Sequence, residues 1–412
     1  MTSVSPERGP IVPARPDPAG PLVGLRVVAV EQAVAGPLCS RHLADLGADV
    51  VKVERPGSGD FARGYDTLAH GQATHFVWLN RGKRSVALDL KSPDGRAALV
   101  ALLETADVLV SNLGTGALER IVDLDAVRET NPGLVSCAIS GYGPDGPYAG
   151  KKAFDLLVVG EAGVTLSTGT TEEPAKPGVS MADLAGGVYA MAAITAALLE
   201  RTRTGTGRHV DISMLDVMTE WMTPLLMAEE LSGTTVPPAG MHHATITPYG
   251  PYRAADGARV NIAVQNDAQW QRLCRLVLRD DALADDPSYA TNEGRLRRRA
   301  ECEAAVAAGI GGLALAELEQ ALDRADVPWG RLRTAGEVLA HPQLEQTGRW
   351  TSALLPGGAS VRVVADPFRY RDRPTPARRA VPSVGEHTEE VLSELGRVRP
   401  PVDGGLGPSG SA

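Results

Sequence analysis

Aromatic side chains are scarce in this chain. Phe, Trp and Tyr make up 4% of its 412 residues, so a core has to be assembled from Ala, Val and Leu. With 43% hydrophobic residues there is enough apolar material to do so. Cysteine is sparse too. Cys39, Cys137, Cys274 and Cys302 lie far apart and none forms a C-x-x-C pair, so neither a zinc ribbon nor a disulfide framework is indicated. Basic charge is in deficit. A formal net charge of −9 argues against a general nucleic-acid surface and leaves room only for a local basic pocket for one small polyanion. Long apolar runs are missing as well. "AGGVYAMAAITAALL" comes closest, but it is too short to span a bilayer, rich in small residues and flanked by Asp183 and Arg201. A buried helix fits it better. The opening "MTSVSPERGPIVPARPDPAGP" lacks the apolar centre of a secretory signal and reads as a disordered leader. The tail from Asp403 to Ala412 reads as disordered too. These absences describe a soluble, cytoplasmic protein without nucleic-acid or membrane partners.

Several catalytic signatures are also missing. There is no G-x-S-x-G elbow and no visible Ser-His-Asp pattern. His242 and His243 are adjacent rather than four apart, which argues against a helical metal site, and no metal is expected. "ERPGSGD", Glu54 to Asp60, has the glycines of a phosphate loop but neither the dinucleotide fingerprint nor the Walker lysine. It reads equally as a flexible turn.

What is there is alternation. "LRVVAVEQAV" reads as a strand, "LCSRHLAD" as a helix stopped at Gly47, and Asp49–Val53 as a second strand. "SVALDL", "DVLVSNL" and "LVSCAIS" are further strands, separated by the helical "PDGRAALVALLETA" and "LDAVRETNP". Strand and helix in turn predict an α/β fold with a doubly wound, Rossmann-like sheet. From about Leu226 the pattern changes. "TPYGPYRAADGARVNIAVQ" reads as a hairpin turning at Asp256-Gly257, and a helical, Arg-rich stretch follows to about Asp326. The expected organisation is a leader over 1–21, a large α/β domain over 22–225, and a smaller α+β domain over 226–335.

Two features carry chemistry. Arg55 falls at the carboxyl end of a strand, the edge where open α/β sheets bind ligands. Arg81, Lys83, Arg84 and Lys91 crowd into "NRGKRSVALDLK", and a basic cluster at that edge suits a ligand with several phosphates. The second feature is Asp183, a lone acid in "MADLAGG" ahead of a long apolar helix. As an N-cap it would accept a helix N–H. As a carboxylate at a helix N-terminus with small neighbours it would be an ionised, accessible nucleophile. The two readings are compatible.

Five stretches together resemble the family III CoA-transferases, the group that includes formyl-CoA transferase and the α-methylacyl-CoA racemases. They are "VAGPLCSRHLADLGADVVKVERPGSGD", "NRGKRSVALDLKSPDGR", "DVLVSNLGTGALER", "ISGYGPDGPY" and "MADLAGGVYAMAAITAALLERTRTGTGRHVDISMLD". The resemblance runs from about Leu22 to Leu395. It implies that Asp183 occupies the place of the catalytic aspartate. It implies that Arg55, Leu88, Lys91, Asn112, Ala117, Arg120 and Lys152 contact the nucleotide, phosphates and pantetheine arm of coenzyme A. Val34 and Ala35 fall where the chain approaches the thioester, Val34 replacing a Gln of formyl-CoA transferase. It implies an interlocked homodimer, with a return segment over 336–402 completing the large domain before a tail over 403–412. It implies an acyl-CoA and a carboxylic acid as partners, with the CoA thioester as substrate and no permanently bound cofactor.

Departures select the branch. The racemases carry a His where this chain has Phe154 and a Glu where it has Asn266. Racemisation needs an acid and a base on opposite faces of the α-carbon, and neither residue titrates usefully. "LSGTTVPPAGMHH" stands near the place of the glycine-run lid of formyl-CoA transferase and differs in composition. "HHATITPYGPY" and "VQNDAQW" resemble the branch handling dicarboxylic acyl-CoAs such as mesaconyl-CoA or itaconyl-CoA. The reading is therefore CoA transfer, with the N–H groups near Gly186 and Gly187 as oxyanion donors. The alternatives are a 2-methylacyl-CoA racemase, CoA transfer within one dicarboxylic acyl-CoA, and a CoA-binding scaffold.

Overall fold

The computed structural model describes residues 20–371 and 380–398. The expected tail over 403–412, and the expected leader apart from its last two residues, lie outside them. The chain divides into two compact units. The first takes in the chain up to Val158, then Ser180–Glu220, and the segment from Gly348 on; the second holds Val159–Val179 and Trp221–Thr347.

The first unit is built on six parallel strands: β1 (Arg26–Val30), β2 (Asp49–Glu54), β3 (Arg84–Ala87), β4 (Val108–Ser111), β5 (Val135–Ser140) and β6 (His209–Ser213). Their order is β3-β2-β1-β4-β5-β6, the doubly wound arrangement that the alternation predicts. Runs such as "RVVAV" and "VLVS" make strands because β-branched side chains pack well on a pleated surface. They are buried almost throughout because helices cover a parallel sheet.

Between the strands lie α1 (Ala35–Asp45), α2 (Thr74–Asn80), α3 (Pro93–Leu103) and α4 (Leu124–Thr130). Ser92 caps α3 by accepting from Gly95 N, and Asp123 caps α4. After β5 come α5 (Asp155–Glu161), the single turn α6 (Val164–Ser167) and α7 (Met181–Thr204). Helix α7 is longer than the apolar run in the sequence. By length and composition alone it is long enough to cross a membrane. It packs on α1, β5 and β6, the position of a core helix, and small residues allow the close approach.

After β7 (Tyr249–Arg253), β8 (Arg259–Ala263) and β9 (Trp329–Arg331) of the second unit, the chain returns to this unit as the hairpin β10 (Trp350–Leu354) and β11 (Ser360–Val364). Leu355 and Ala353 pack with Phe76 and Val77 of α2 and with Val381. The residues after Val381 then run beside β3, where Gly385 N donates to Ser85 Oγ at 2.8 Å and Ala87 N to Thr388 Oγ1 at 3.0 Å.

The second unit carries an antiparallel sheet of β7 (Tyr249–Arg253), β8 (Arg259–Ala263) and β9 (Trp329–Arg331). The β7–β8 hairpin turns at Asp256-Gly257, with Gly257 at φ 85°, as the sequence predicts. Its core gathers Trp270, Leu273, Val306 and Leu318.

Candidate active site

The carboxyl ends of β1, β2 and β3 open onto a cleft of about 740 Å³. Arg55, Leu88 and Lys91 line it, together with the turn Pro56–Phe61 and, from beyond β4, Leu113 and Ile121. This is the edge beside the switch point between β1 and β4, where an open sheet binds its ligand. The turn is held by defined bonds. Gly59 N donates to Arg55 O at 3.0 Å, and Asp60 N to Glu54 Oε2 at 2.9 Å. A Cβ on Gly59 would stand 2.7 Å from Glu54 Oε2, so glycine is required there. Arg55 and Lys91 are exposed while Leu88 is buried, giving cationic and apolar contacts along one wall.

Three of the cations in the expected basic cluster are not available to a ligand. Lys83 is wholly buried and donates to Glu31 Oε1 at 2.7 Å, Pro37 O and Asn80 Oδ1. Arg81 is buried on Asp45, and Arg84 pairs with Asp49, Glu390 and Glu394. The reason is register. Lys83 and Arg84 enter the start of β3, remote from its ligand-binding end. Burial pushes the Lys83 amine down to about 8, against the pull of Glu31. Burial pushes the Glu31 carboxyl up, but Lys83 and Lys52 together hold it below the usual carboxylate range.

Asp183 stands in the first turn of α7, not at its cap. The N-cap is Ser180, whose side chain makes no capping bond. That role is filled from a distance: Asp155 Oδ1 accepts from Ala182 N at 2.8 Å and, at 3.5 Å, from Asp183 N. One turn further along α7, Gly187 meets α1. A Cβ there would stand 2.6 Å from Ala35 O and 3.1 Å from Leu38 Cβ. Leu184 packs on the cluster of Val34, Leu38 and Leu79. This contact brings Asp183, Val34 and Ala35 into one neighbourhood. Gly186 and Gly187 lie inside the helix, one against Met214 and the other against Ala35, so their N–H groups are committed to helical bonds and are not oxyanion donors.

Tyr65 is a neighbour the sequence reading missed. Burial, then the charges of Asp60 and Asp183, push its phenol above the ordinary range, so it remains protonated. Its only sequence signal is its place five residues after Asp60, in the 3-10 turn that Asp60 caps.

Of the other expected residues, Asn112, Ala117 and Arg120 follow β4 and Lys152 precedes α5. Asn112 spends its amide on the backbone of Gln32, accepting from Gln32 N and donating to Gln32 O, both at 2.8 Å. Its side chain positions the β1–α1 turn. Ala117 and exposed Arg120 lie on the turn after β4, whose Leu113 and Ile121 reach the cleft wall. Lys152 is exposed, three residues before Asp155. Phe154 is exposed, and Asn266 caps the helix Asp267–Arg272 by accepting from Gln269 N at 2.9 Å.

Two arrangements appear that the sequence hid. Ser136, His209 and Asp211 are linked across β5 and β6, with Ser136 Oγ 2.8 Å from His209 Nδ1 and His209 Nε2 3.3 Å from Asp211 Oδ1. Ser136 is buried near the start of β5, at the opposite end from the cleft, and takes a further bond from Arg128. Its hydroxyl cannot meet a substrate at the cleft. His42, Asp45 and Asp366 bring possible ligand atoms within 4.8 Å of one another. Arg41 and Arg81 already compensate Asp45, so the group is a buried ion-pair cluster.

The profile of CoA-transferase family III matches residues 22–388, and the chain belongs to that family. It is a CoA-transferase. It is 36% identical to the succinate–glutarate CoA-transferase of Agrobacterium fabrum over 92% of this chain and 97% of that enzyme. It is 34% identical to the succinyl-CoA:mesaconate CoA-transferase of Haloarcula hispanica, again over 92% and 97%. Among solved structures, a CaiB/BaiF family protein from Brucella suis superposes with a TM-score of 0.79 at 34% identity, covering 92% of this chain and all of that one.

Proposed function

We propose that this enzyme moves coenzyme A from an acyl-CoA to a dicarboxylic acid through a covalent adduct at Asp183. The Asp183 carboxylate attacks the donor thioester carbonyl, and the tetrahedral adduct collapses to a mixed anhydride as CoA leaves as thiolate. The thiolate attacks the aspartyl carbonyl, releasing the donor carboxylate and leaving an aspartyl-CoA thioester. The acceptor carboxylate attacks that carbonyl, expelling the thiolate again. The thiolate then takes the acceptor's acyl group and frees Asp183. Splitting the exchange into four acyl transfers replaces one hard step by easier ones.

The observation that supports this reading is the packing of α7 on α1: Leu184, next to Asp183, packs with Val34, and Gly187, one turn on, meets Ala35. The N–H groups of Ala35 and Gly36, which open α1 and have no partner within the helix, are assigned as donors to a developing oxyanion. Arg55, Lys91, Arg120 and Lys152 are assigned to the phosphates. Leu88 and Ala117 are assigned to the pantetheine arm. Dicarboxylate acceptors are favoured by the relatives that use glutarate and mesaconate. The absence of a titratable group at Phe154 and Asn266 disfavours racemisation.

The test is to mix enzyme with acyl-CoA and no acceptor, then add hydroxylamine or borohydride. Inactivation should require donor, and peptide mapping should locate the change between Gly178 and Gly187. Transfer without any such adduct would overturn the aspartyl mechanism.

An interlocked homodimer is proposed as the working form. Exposed Leu68, Phe154 and Leu199 in the first unit and Leu166, Leu231 and Met241 in the second are apolar side chains that such a dimer could cover. Rapid exchange between tagged and untagged protomers would rule out threading.

A further inference from the structure

Ala33, between β1 and α1, has φ 61°. An L-residue there brings its Cβ against a carbonyl oxygen, so the conformation persists only where its surroundings over-determine it. The surroundings can be named. Asn112 grips Gln32 on both its N–H and its carbonyl. Ala33 N then donates to Asp60 Oδ1 at 3.1 Å. Val34 and Ala35 follow at once and open α1, so the reversal at Ala33 sets where they point.

Asp60 is itself anchored to the sheet. Its Oδ2 accepts from Lys52 Nζ at 2.9 Å, and Lys52 is fully buried and also reaches Glu31. Its backbone N–H is tied to Glu54. Its Oδ1 takes a second backbone donor, Ala62 N at 2.9 Å, which caps the 3-10 turn Phe61–Gly64 leading into Tyr65. One carboxylate therefore fixes two pieces of chain: the turn that presents Val34 and Ala35, and the 3-10 turn that ends at Tyr65.

We propose that Asp60 is a positioning residue for acyl transfer: it holds Ala33 in the left-handed conformation and thereby aligns the Val34–Ala35 turn with Asp183. The inference rests on the aspartyl mechanism proposed above. The competing explanation is that Asp60 serves only to neutralise buried Lys52.

The two roles separate by substitution, read as kcat, KM for acyl-CoA and the rate of donor-dependent CoA attachment measured by mass spectrometry. Lys52→Met with Asp60→Asn keeps an oxygen for the two backbone donors and removes the ion pair without stranding a charge. It should retain at least about a fifth of kcat. Asp60→Ala alone strands a buried lysine and risks misfolding, so the informative variant is Lys52→Met with Asp60→Ala, which removes both charges. It should fold and lose about 10²-fold in kcat and in attachment rate, with KM little changed, as a misaligned reacting group does. Adding Ala33→Gly, which enters the left-handed region without help, should recover about tenfold. Wild-type kcat in Lys52→Met with Asp60→Ala, an equal loss in Lys52→Met with Asp60→Asn, or no recovery with Ala33→Gly would reduce Asp60 to a counter-ion. Absence of any CoA adduct in the wild type would overturn the aspartyl mechanism and this inference with it. An adduct forming equally fast in wild type and variants would overturn this inference alone.

Discussion

Asp183 occupies the third position of α7, where a carboxylate gains from the helix N-terminus whatever else it does. Asp183→Ala should therefore cost only about 0.3–1 kcal/mol in urea unfolding. It should lower CoA exchange by about 10³-fold or more, measured as thioesters exchanged between acyl-CoA and dicarboxylate. Near wild-type turnover would return Asp183 to a purely structural role. The small residues around it were legible in the sequence and suggested access. The identity of the group that caps the helix was not, because Asp155 lies 28 residues upstream of Asp183 and meets the helix only through folding. The same holds for the basic residues. Lys83 and Lys91 look alike in "NRGKRSVALDLK", yet one is buried on Glu31 and the other is exposed on the cleft. Ala variants of Arg55, Lys91, Arg120 and Lys152 should raise KM for acyl-CoA about three- to tenfold each, more at low salt. Lys83→Met should instead cost about 3 kcal/mol of stability by breaking a buried pair, with KM unchanged.

At the scale of elements, the α1–α7 contact is decisive. Gly186 and Gly187 are neighbours in sequence and differ in what they face. A Cβ on Gly186 would meet Met214 Cγ at 3.2 Å, part of a side chain that can move. A Cβ on Gly187 would meet the Ala35 carbonyl at 2.6 Å, and backbone cannot yield without displacing a helix. Replacing glycine by alanine inside a helix gains about 1 kcal/mol of propensity. Gly186→Ala should therefore be neutral or stabilising. Gly187→Ala should carry an overpacking cost of about 1–3 kcal/mol and lower kcat, because it separates Asp183 from Val34 and Ala35. Thermal melts paired with kinetics check both. An intact kcat in Gly187→Ala would mean that the site does not depend on this contact. The strands and helices themselves were readable, since period and punctuation are local. The short strands β9 and β10 were not, because three to five residues without clear alternation become strands only when a partner strand stands beside them.

Across the whole molecule, the response to acid follows from groups buried in unusual states. Burial, then Arg41 and Arg81, push His42 down to about 3. The unfolded chain titrates this residue near 6.5, so it binds one more proton than the folded chain between those values. Stability should fall as pH drops below 6.5, by up to about 1.4 kcal/mol per pH unit. Glu31 and Glu54, whose carboxyls are held low in the fold, add their loss only below their ordinary range near 4.5. His42→Gln should flatten the dependence between pH 6.5 and 4.5, measured as urea midpoints at pH 7.5, 6 and 5. A slope unchanged by that substitution would assign it to other groups. By itself the sequence determined the alternating elements, the doubly wound class and the candidate acid, because hydrophobic period, turn residues and small neighbours are properties of short stretches. Only the tertiary structure decided which charges face the cleft, that Asn112 and Asp60 bond the backbone at Gln32 and Ala33, and that α7 packs through Gly187 on the first turn of α1. Each of those depends on groups tens of residues apart meeting at hydrogen-bond or van der Waals distance, and such meetings leave no mark in the local pattern.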